Sequence, residues 1–266
     1  MTSQHPFNAI RLNGESTMRG VTLAVPWELV RLLLPAGLEL GSQNLTPAGT
    51  HPVLLFFNDM FRLEMSIPTM VPSLTYHEHH VGIPFTFLAN GLNCVGTSGP
   101  YYFMPKLHLD NLLPVLGGIA FWGFAKELTY ITVRAHDYTV TSLTGQRLAT
   151  LEWDTINDAY RSVIDFPLFA PIQQILSQPI ISMVPFSVGP FFSLSDMQRR
   201  WDLATLAPMR ASLQVDAAYV AGYPSGRSPE VGWLPSIIDT SLGCYELRVP
   251  WWLSLPYPPP IAGMWR

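Results

Sequence analysis

Charged side chains are scarce in this sequence: Asp, Glu, Lys and Arg make up 13% of its 266 residues, about half the usual share. Lysine is scarcer still, Lys106 and Lys126 standing against thirteen arginines. So little charge covers little outer surface, and part of the outside is expected to be buried against further copies of the chain, as a homo-oligomer. The net charge of -4 and the pI near 5.9 come with dispersed arginines and no basic stripe, which argues against a nucleic-acid partner.

Cysteine is nearly absent. Cys94 and Cys244 lie far apart without Cys-x-x-Cys spacing, so neither a zinc site nor a disulfide framework is suggested, and both read as reduced, buried thiols. The opening MTSQHPFNAIRLNGE lacks a basic segment followed by an apolar run; no secretory signal is read, and a cytoplasmic location is expected. Gly-x-Ser-x-Gly, a P-loop and a dinucleotide fingerprint with its ribose-binding carboxylate are missing too, which removes the common hydrolase, nucleotide and dinucleotide classes. Nothing calls for a metal or an organic cofactor.

Charge vanishes altogether from Phe166 to Ser195, a stretch long enough to cross a bilayer. Pro167, Pro171, Pro179, Pro185 and Pro190 would break a continuous helix and leave backbone groups unsatisfied in lipid. Gln173, Gln174 and Gln178 add polar cost. The segment therefore reads as an oligomer interface or a pocket wall, ahead of an interfacial membrane contact, which usually wants a basic amphipathic helix.

What remains is a large apolar chain, nearly half hydrophobic, expected to form one domain over residues 1–266. Pro26–Leu34 predicts a short helix that ends at Pro35 and Gly37. Val53–Asn58 and Leu74–Leu88 predict strands, the second with a break near Gly82 and Pro84. Asp110 reads as the N-cap of a helix through about Gly118. Leu128–Ser142 and Arg147–Asp154 predict strands joined by a hairpin at Leu143–Gln146, with further strands over Met209–Ala221 and Leu242–Val249. Tyr223–Pro229 reads as an exposed loop and Trp251–Pro260 as a proline-rich aromatic segment. The pattern is an α+β fold dominated by antiparallel sheet.

Two clusters carry chemistry. Lys126 ends LLPVLGGIAFWGFAK with no other charge in that run; desolvation there would lower its pKa and make it a candidate Schiff-base nucleophile. The alternative is a lysine that lays its stem on apolar surface and snorkels its head to water. In Tyr76-His77-Glu78-His79-His80, strand alternation sends His77 and His79 one way and Tyr76, Glu78 and His80 the other. His77 with His79 would make an incomplete metal site; a half-buried polar face is the plainer reading, with Tyr76 and Glu78 as pocket-facing groups.

These residues resemble the acetoacetate decarboxylase-like superfamily. Leu109-Asp110-Asn111 is similar to the family's segment before its active lysine. Gly118 and Gly123-Phe124-Ala125-Lys126 resemble its glycine and lysine motifs, and Tyr76-x-Glu78 with Ile83-Pro84 resembles its Tyr-x-Glu and Ile-Pro pair. Pro26–Leu38 looks like its helix and Leu-Pro turn, with a weaker echo at Leu234-Pro235 and Tyr245–Pro250. The resemblance implies a strongly curved antiparallel sheet closing into a cone or barrel around a buried pocket, usually in an oligomer. It puts Lys126 at the Schiff-base position, Glu78 at the acidic position beside the substrate and Arg19 as a counterpart of the arginine that holds the substrate carboxylate; in a lyase so built, Glu78 would shuttle a proton and Tyr76 would hydrogen-bond the substrate.

Departures matter as much. Glu127 stands where decarboxylases have a second lysine, and Ile119-Ala120 replaces Arg-Glu. A depressed lysine pKa would then have to come from packing by Phe121, Trp122 and Phe124. Asn58 or Asp59 is the nearest candidate for the family's second acid. The resulting expectation is a lyase acting on a small to medium oxo acid or apolar carbonyl substrate, by decarboxylation or by aldol condensation and dehydration, with Trp122 and Asn58 also lining the pocket. A non-catalytic binding protein for an apolar ligand is the alternative.

Overall fold

The computed structural model describes residues 11–66, 73–89, 99–155, 160–183, 192–220 and 244–257. In chain order these form β1 (Arg11–Pro26), α1 (Trp27–Arg31), β2 (Leu38–Leu40), β3 (Thr50–Met65), β4 (Leu74–Leu88), β5 (Tyr101–Leu109), α2 (Leu112–Gly117), a π-helical turn (Gly118–Trp122) and β6 (Lys126–Leu128). There follow β7 (Tyr130–Arg134), β8 (Asp137–Thr141), β9 (Arg147–Thr155), β10 (Arg161–Ser162), α3 (Ala170–Leu176), β11 (Ile180–Met183), β12 (Phe192–Ser195), β13 (Met197–Arg199), β14 (Thr205–Val215) and β15 (Cys244–Ser254).

The strands run β12-β11-β5-β4-β3-β1-β15-β14-β9-β8-β7, with β2 on β4, β6 on β5, β10 on β14 and β13 on β15. Pairing is antiparallel except for β5 with β6 and with β11. Among the described residues no backbone pairing joins β12 to β7, so the ladder itself does not make the expected cone or barrel. The last strand on that path, β7, keeps alternate side chains exposed.

The long strands are buried on both faces, which is why β3 reads as a nearly unbroken apolar run rather than an alternating one. One face of the sheet carries Val53, Leu55, Phe57, Val81, Tyr138 and Leu213. The other carries Leu54, Phe56, Met60, Leu107, Tyr245 and Leu247. Successive residues alternate between the two cores. In β5 the parity changes midway: Tyr102 and then Leu107 and Leu109 share one core. The pairing of β4 with β5 shifts between Val81 and Ile83, opposite Lys106 and Phe103. Pro105, which has no N–H for the ladder, sits in that irregularity, and the extra residue returns both halves of β5 to the same face.

Several elements differ from the sequence reading. Leu128–Ser142 is two strands, turned at Ala135-His136, a tight turn without the glycine that marks such hairpins. Asn111, not Asp110, caps α2, its side chain accepting from Leu113 N at 3.1 Å. Asp110 is occupied by His77, accepting from its backbone N at 2.9 Å and contacting its Nδ1 at 2.6 Å. The uncharged Phe166–Ser195 stretch contains α3, β11 and β12, and among the described residues no helix is long and apolar enough to cross a membrane. Cys94, Tyr223–Pro229, Leu234-Pro235, the predicted strand start at Leu242 and residues 258–260 lie outside the described residues.

Candidate active site

Lys126 reaches its place through a chain reversal. After α2 the chain enters the π-helical turn, and Gly123 at φ 67° ends it in the left-handed region, where a side chain would be strained. Phe124 N then bonds back to Gly118 O at 3.2 Å. The reversal lays the lysine stem over Gly118, where a Cβ would come 2.4 Å from Lys126 Cδ and Cε. Only hydrogen fits beneath the stem. Strand β6 pairs parallel with β5, Lys126 opposite Leu107 and Glu127 opposite His108. Alternation turns Lys126 inward, 8% exposed at its side chain, and Glu127 outward at 62%.

Lys126 faces Glu78 of β4, Nζ to Oε2 at 3.8 Å. Burial lowers the lysine pKa from its ordinary value, and the Glu78 charge pulls it only partly back. Glu127 takes no part in that balance. Burial would raise the Glu78 carboxyl, but His80, Lys126 and Tyr76 outweigh it and hold it below its ordinary value. The Tyr76 hydroxyl donates to Glu78 Oε2 at 3.5 Å, and burial followed by the Glu78 charge keeps it a phenol, well above its ordinary pKa. His80 Nδ1 lies 3.5 Å from Glu78 Oε1 and 3.4 Å from Asn58 Nδ2, while its Nε2 lies 3.4 Å from the Tyr102 hydroxyl, with donor and acceptor set by the tautomer. These contacts are long for hydrogen bonds.

Two chambers meet at the amine. An inner one of about 70 Å³ is lined by Asn58, Glu78, His80, Tyr102, Lys126 and Arg199 among others. An outer one of about 260 Å³ is walled by Leu63, Met65, Leu74, Leu113, Trp122 and neighbouring apolar side chains. Tyr76, Phe124 and Lys126 belong to both.

The structure thus brings together Lys126, Glu78, Tyr76 and Asn58, with Trp122 in the outer wall, its indole N–H donating to Ser254 O at 2.8 Å. It does not bring Arg19. Ser16 and Met18 of β1 face the inner chamber, so Arg19 points to the opposite face. There it meets Asp59 and Glu246, each at 2.9 Å, and stacks 4.4 Å from the Trp153 ring. Asp59 leaves the chamber with it, and Asn58 occupies the chamber side. Of the three aromatics expected to desolvate the amine, Phe124 and Trp122 are buried while Phe121, at the outer chamber, is 54% exposed.

Sequence reasoning missed Tyr102, Gln178 and Arg199. Arg199 follows Met197 at the two-residue spacing of one strand face, directly after the charge-free stretch, and that spacing was the available signal. Tyr102 and Gln178 carry none. His77 and His79 do point away from the chamber, as alternation requires; His79 packs on Phe57 at 4.4 Å between ring centroids. Burial, then neighbouring His108 and His80, push it well below its ordinary pKa.

Comparison with known proteins places the chain. No curated protein sequence matches the chain. Among solved structures, the fold is similar to the enduracididine biosynthesis enzyme MppR complexed with pyruvate, at TM-score 0.55 and 14% identity over 92% of this chain and 88% of that one. It is similar also to an acetoacetate decarboxylase from Legionella pneumophila, at TM-score 0.53 and 15% identity over 97% and 93%. Residues 2–168, more than half of the chain and including both Glu78 and Lys126, match the family model of acetoacetate decarboxylase, and the chain belongs to that family.

Proposed function

We propose that the protein is a carbon–carbon lyase in which Lys126 forms a Schiff base with the ketone of a small to medium oxo acid. The observation that carries this reading is the buried Lys126 amine facing Glu78 at 3.8 Å in the inner chamber. Burial favours the free amine, the form that attacks a carbonyl. The iminium that follows draws electrons from the neighbouring carbon, and a bond there breaks, to carbon dioxide or to a proton. Glu78 is placed to take or return that proton. Tyr76, held as a phenol, is placed to donate to the substrate or to the departing water. Decarboxylation and aldol condensation with dehydration share this iminium and its enamine. Family membership and the similarity to both a decarboxylase and MppR support the class of chemistry. We take the chain as one domain over residues 1–266, working as a cytoplasmic homo-oligomer.

Borohydride trapping with a panel of oxo acids and aldehydes, read by intact mass and peptide mapping, tests the reading. One adduct on Lys126 is expected. No adduct, or one on Lys106 alone, overturns it in favour of a binding protein, the reading that the apolar outer chamber and the absent second lysine would then support. An apolar molecule carried through purification would be the accompanying sign.

A further inference from the structure

Arg199 is a half-buried cation that lines the inner chamber, and among the described residues it has no anion beside it. It extends from β13 on the same face as Met197, and both line the chamber. Its guanidinium donates to Leu176 O and, at 3.3 Å, to Met197 Sδ, and lies 6.0 Å from the Trp201 ring. Among the described residues its Nε has no partner. No carboxylate contacts it among the described residues, which leaves a partly buried guanidinium without a counter-ion. Burial brings its pKa down to about 10, partly offset by Tyr102 and Tyr245. Glu78, the other charge in the chamber besides Lys126, is engaged with Lys126, His80 and Tyr76.

A guanidinium that lines the chamber with only a carbonyl and a thioether on its fork, and with its Nε–H unpartnered, has donors left for a carboxylate. The outer chamber on the far side of Lys126 offers almost wholly apolar walls, Glu64 being its one charged residue besides the lysine. We propose that Arg199 anchors the substrate carboxylate in the inner chamber, and that the rest of the substrate, an aryl or alkyl group on the other side of the carbonyl, fills the outer chamber. The placement of the carbonyl between them rests on the imine reading; the carboxylate anchor does not. The substrate is then an oxo acid with an apolar tail, and Arg199 selects for its charge.

Binding of 4-phenylbutanoate, its amide and butanoate, measured by calorimetry, tests this without any carbonyl chemistry. The wild-type protein binds the acid at least about tenfold more tightly than the amide, as a charged hydrogen-bonded pair requires, and more tightly than butanoate. Arg199→Gln removes the preference for acid over amide while amide affinity stays; Arg199→Lys keeps part of it, and Lys126→Ala keeps it. Equal binding of acid and amide by the wild type overturns the proposal, a comparison that needs no variant to fold. So does a preference that survives Arg199→Gln or disappears in Lys126→Ala, which would move the anchor to the amine. Acid preference without borohydride trapping would defeat the lyase reading and leave the anchor standing. Trapping without acid preference would do the reverse.

Discussion

The two faces of the central sheet each hold an arginine withdrawn from solvent, Arg19 buried and Arg199 half-buried, and the two are treated in opposite ways. Arg19 spans Asp59 and Glu246 at 2.9 Å and stacks on Trp153. Nearby, His77 is drawn onto Asp110 at 2.6 Å, which lifts its pKa, the Asp110 hydrogen bond outweighing burial. These are short contacts among groups that answer one another. Across the sheet, Arg199 has a carbonyl and a thioether, and the Lys126, Glu78, His80, Asn58 and Tyr102 contacts run from 3.4 to 3.8 Å. Among the described residues Asn58 Oδ1 and Gln178 Nε2 have no partner, and neither do Arg19 Nη1, Asp59 Oδ1 and His79 Nε2 on the opposite face. What separates the two faces is that Asn58 and Gln178, with their longer contacts, border a cavity, where a ligand could satisfy them.

Substitutions can break this contrast. The largest effect is expected at Lys126: alanine there should abolish imine trapping and lower turnover by about three orders of magnitude or more, with the thermal melt little changed. Unchanged turnover in mass-verified Lys126→Ala would remove the chamber from the chemistry. Glu78→Gln should cost about 10²–10⁴-fold in turnover and also shift the pH profile of trapping. Free amine accumulates as pH rises through the lowered lysine pKa, and the Glu78 charge raises that pKa. Its removal should move the rise to lower pH; a move to higher pH would contradict the arrangement.

Gly118→Ala places a methyl 2.4 Å from the lysine stem. The displaced amine should lose about 100-fold in rate of adduct formation, the order expected for misplacement by about 1 Å, and trapping kinetics at saturating oxo acid would show it. On the opposite face, Arg19→Leu strips this cation from Asp59 and from buried Glu246, which keeps Arg248 at 3.6 Å and the Tyr160 hydroxyl. It should lower unfolding free energy by about 3–5 kcal/mol, measured in urea, while adduct formation per folded molecule stays within about twofold. A stable Arg19→Leu protein that no longer traps oxo acids would reverse the roles of the two faces.

The same contrast explains what was readable beforehand. Strand β4 was legible to its end residues because Leu74–Leu88 combines apolar and β-branched content with alternation, and it carried Tyr76 and Glu78 with it. Lys126 stood out because a lone charge in an apolar run has few explanations. Strand β1 was invisible: Gly14 and Gly20 interrupt it, and its close approach to Trp251 and Tyr245, which those glycines permit, is a tertiary matter. Strand β5 was hidden by Pro105, which reads as a break until its bulge is seen. Arg19 was assigned to the wrong face because alternation along one strand fixes which residues share a side, not which side holds the pocket. That choice depends on pairing β1 with β3 and β15, whose partners are far away in the chain.

Strand β6 makes the chemistry depend on counting. It is three residues long, and its parallel register with β5 seats Lys126 inward and Glu127 outward. Because side chains alternate, a slip of one position would put Glu127 in the chamber and the amine in solvent. Beside Glu78, that would make a pair of carboxylates competing for a proton, with no amine to condense with a ketone. Inserting or deleting a single residue between Gly123 and Lys126 would therefore rewrite the reaction with every side chain unchanged, and the π-helical turn upstream, which already holds one residue more per turn than an α-helix needs, is where the chain has slack to absorb such a change instead.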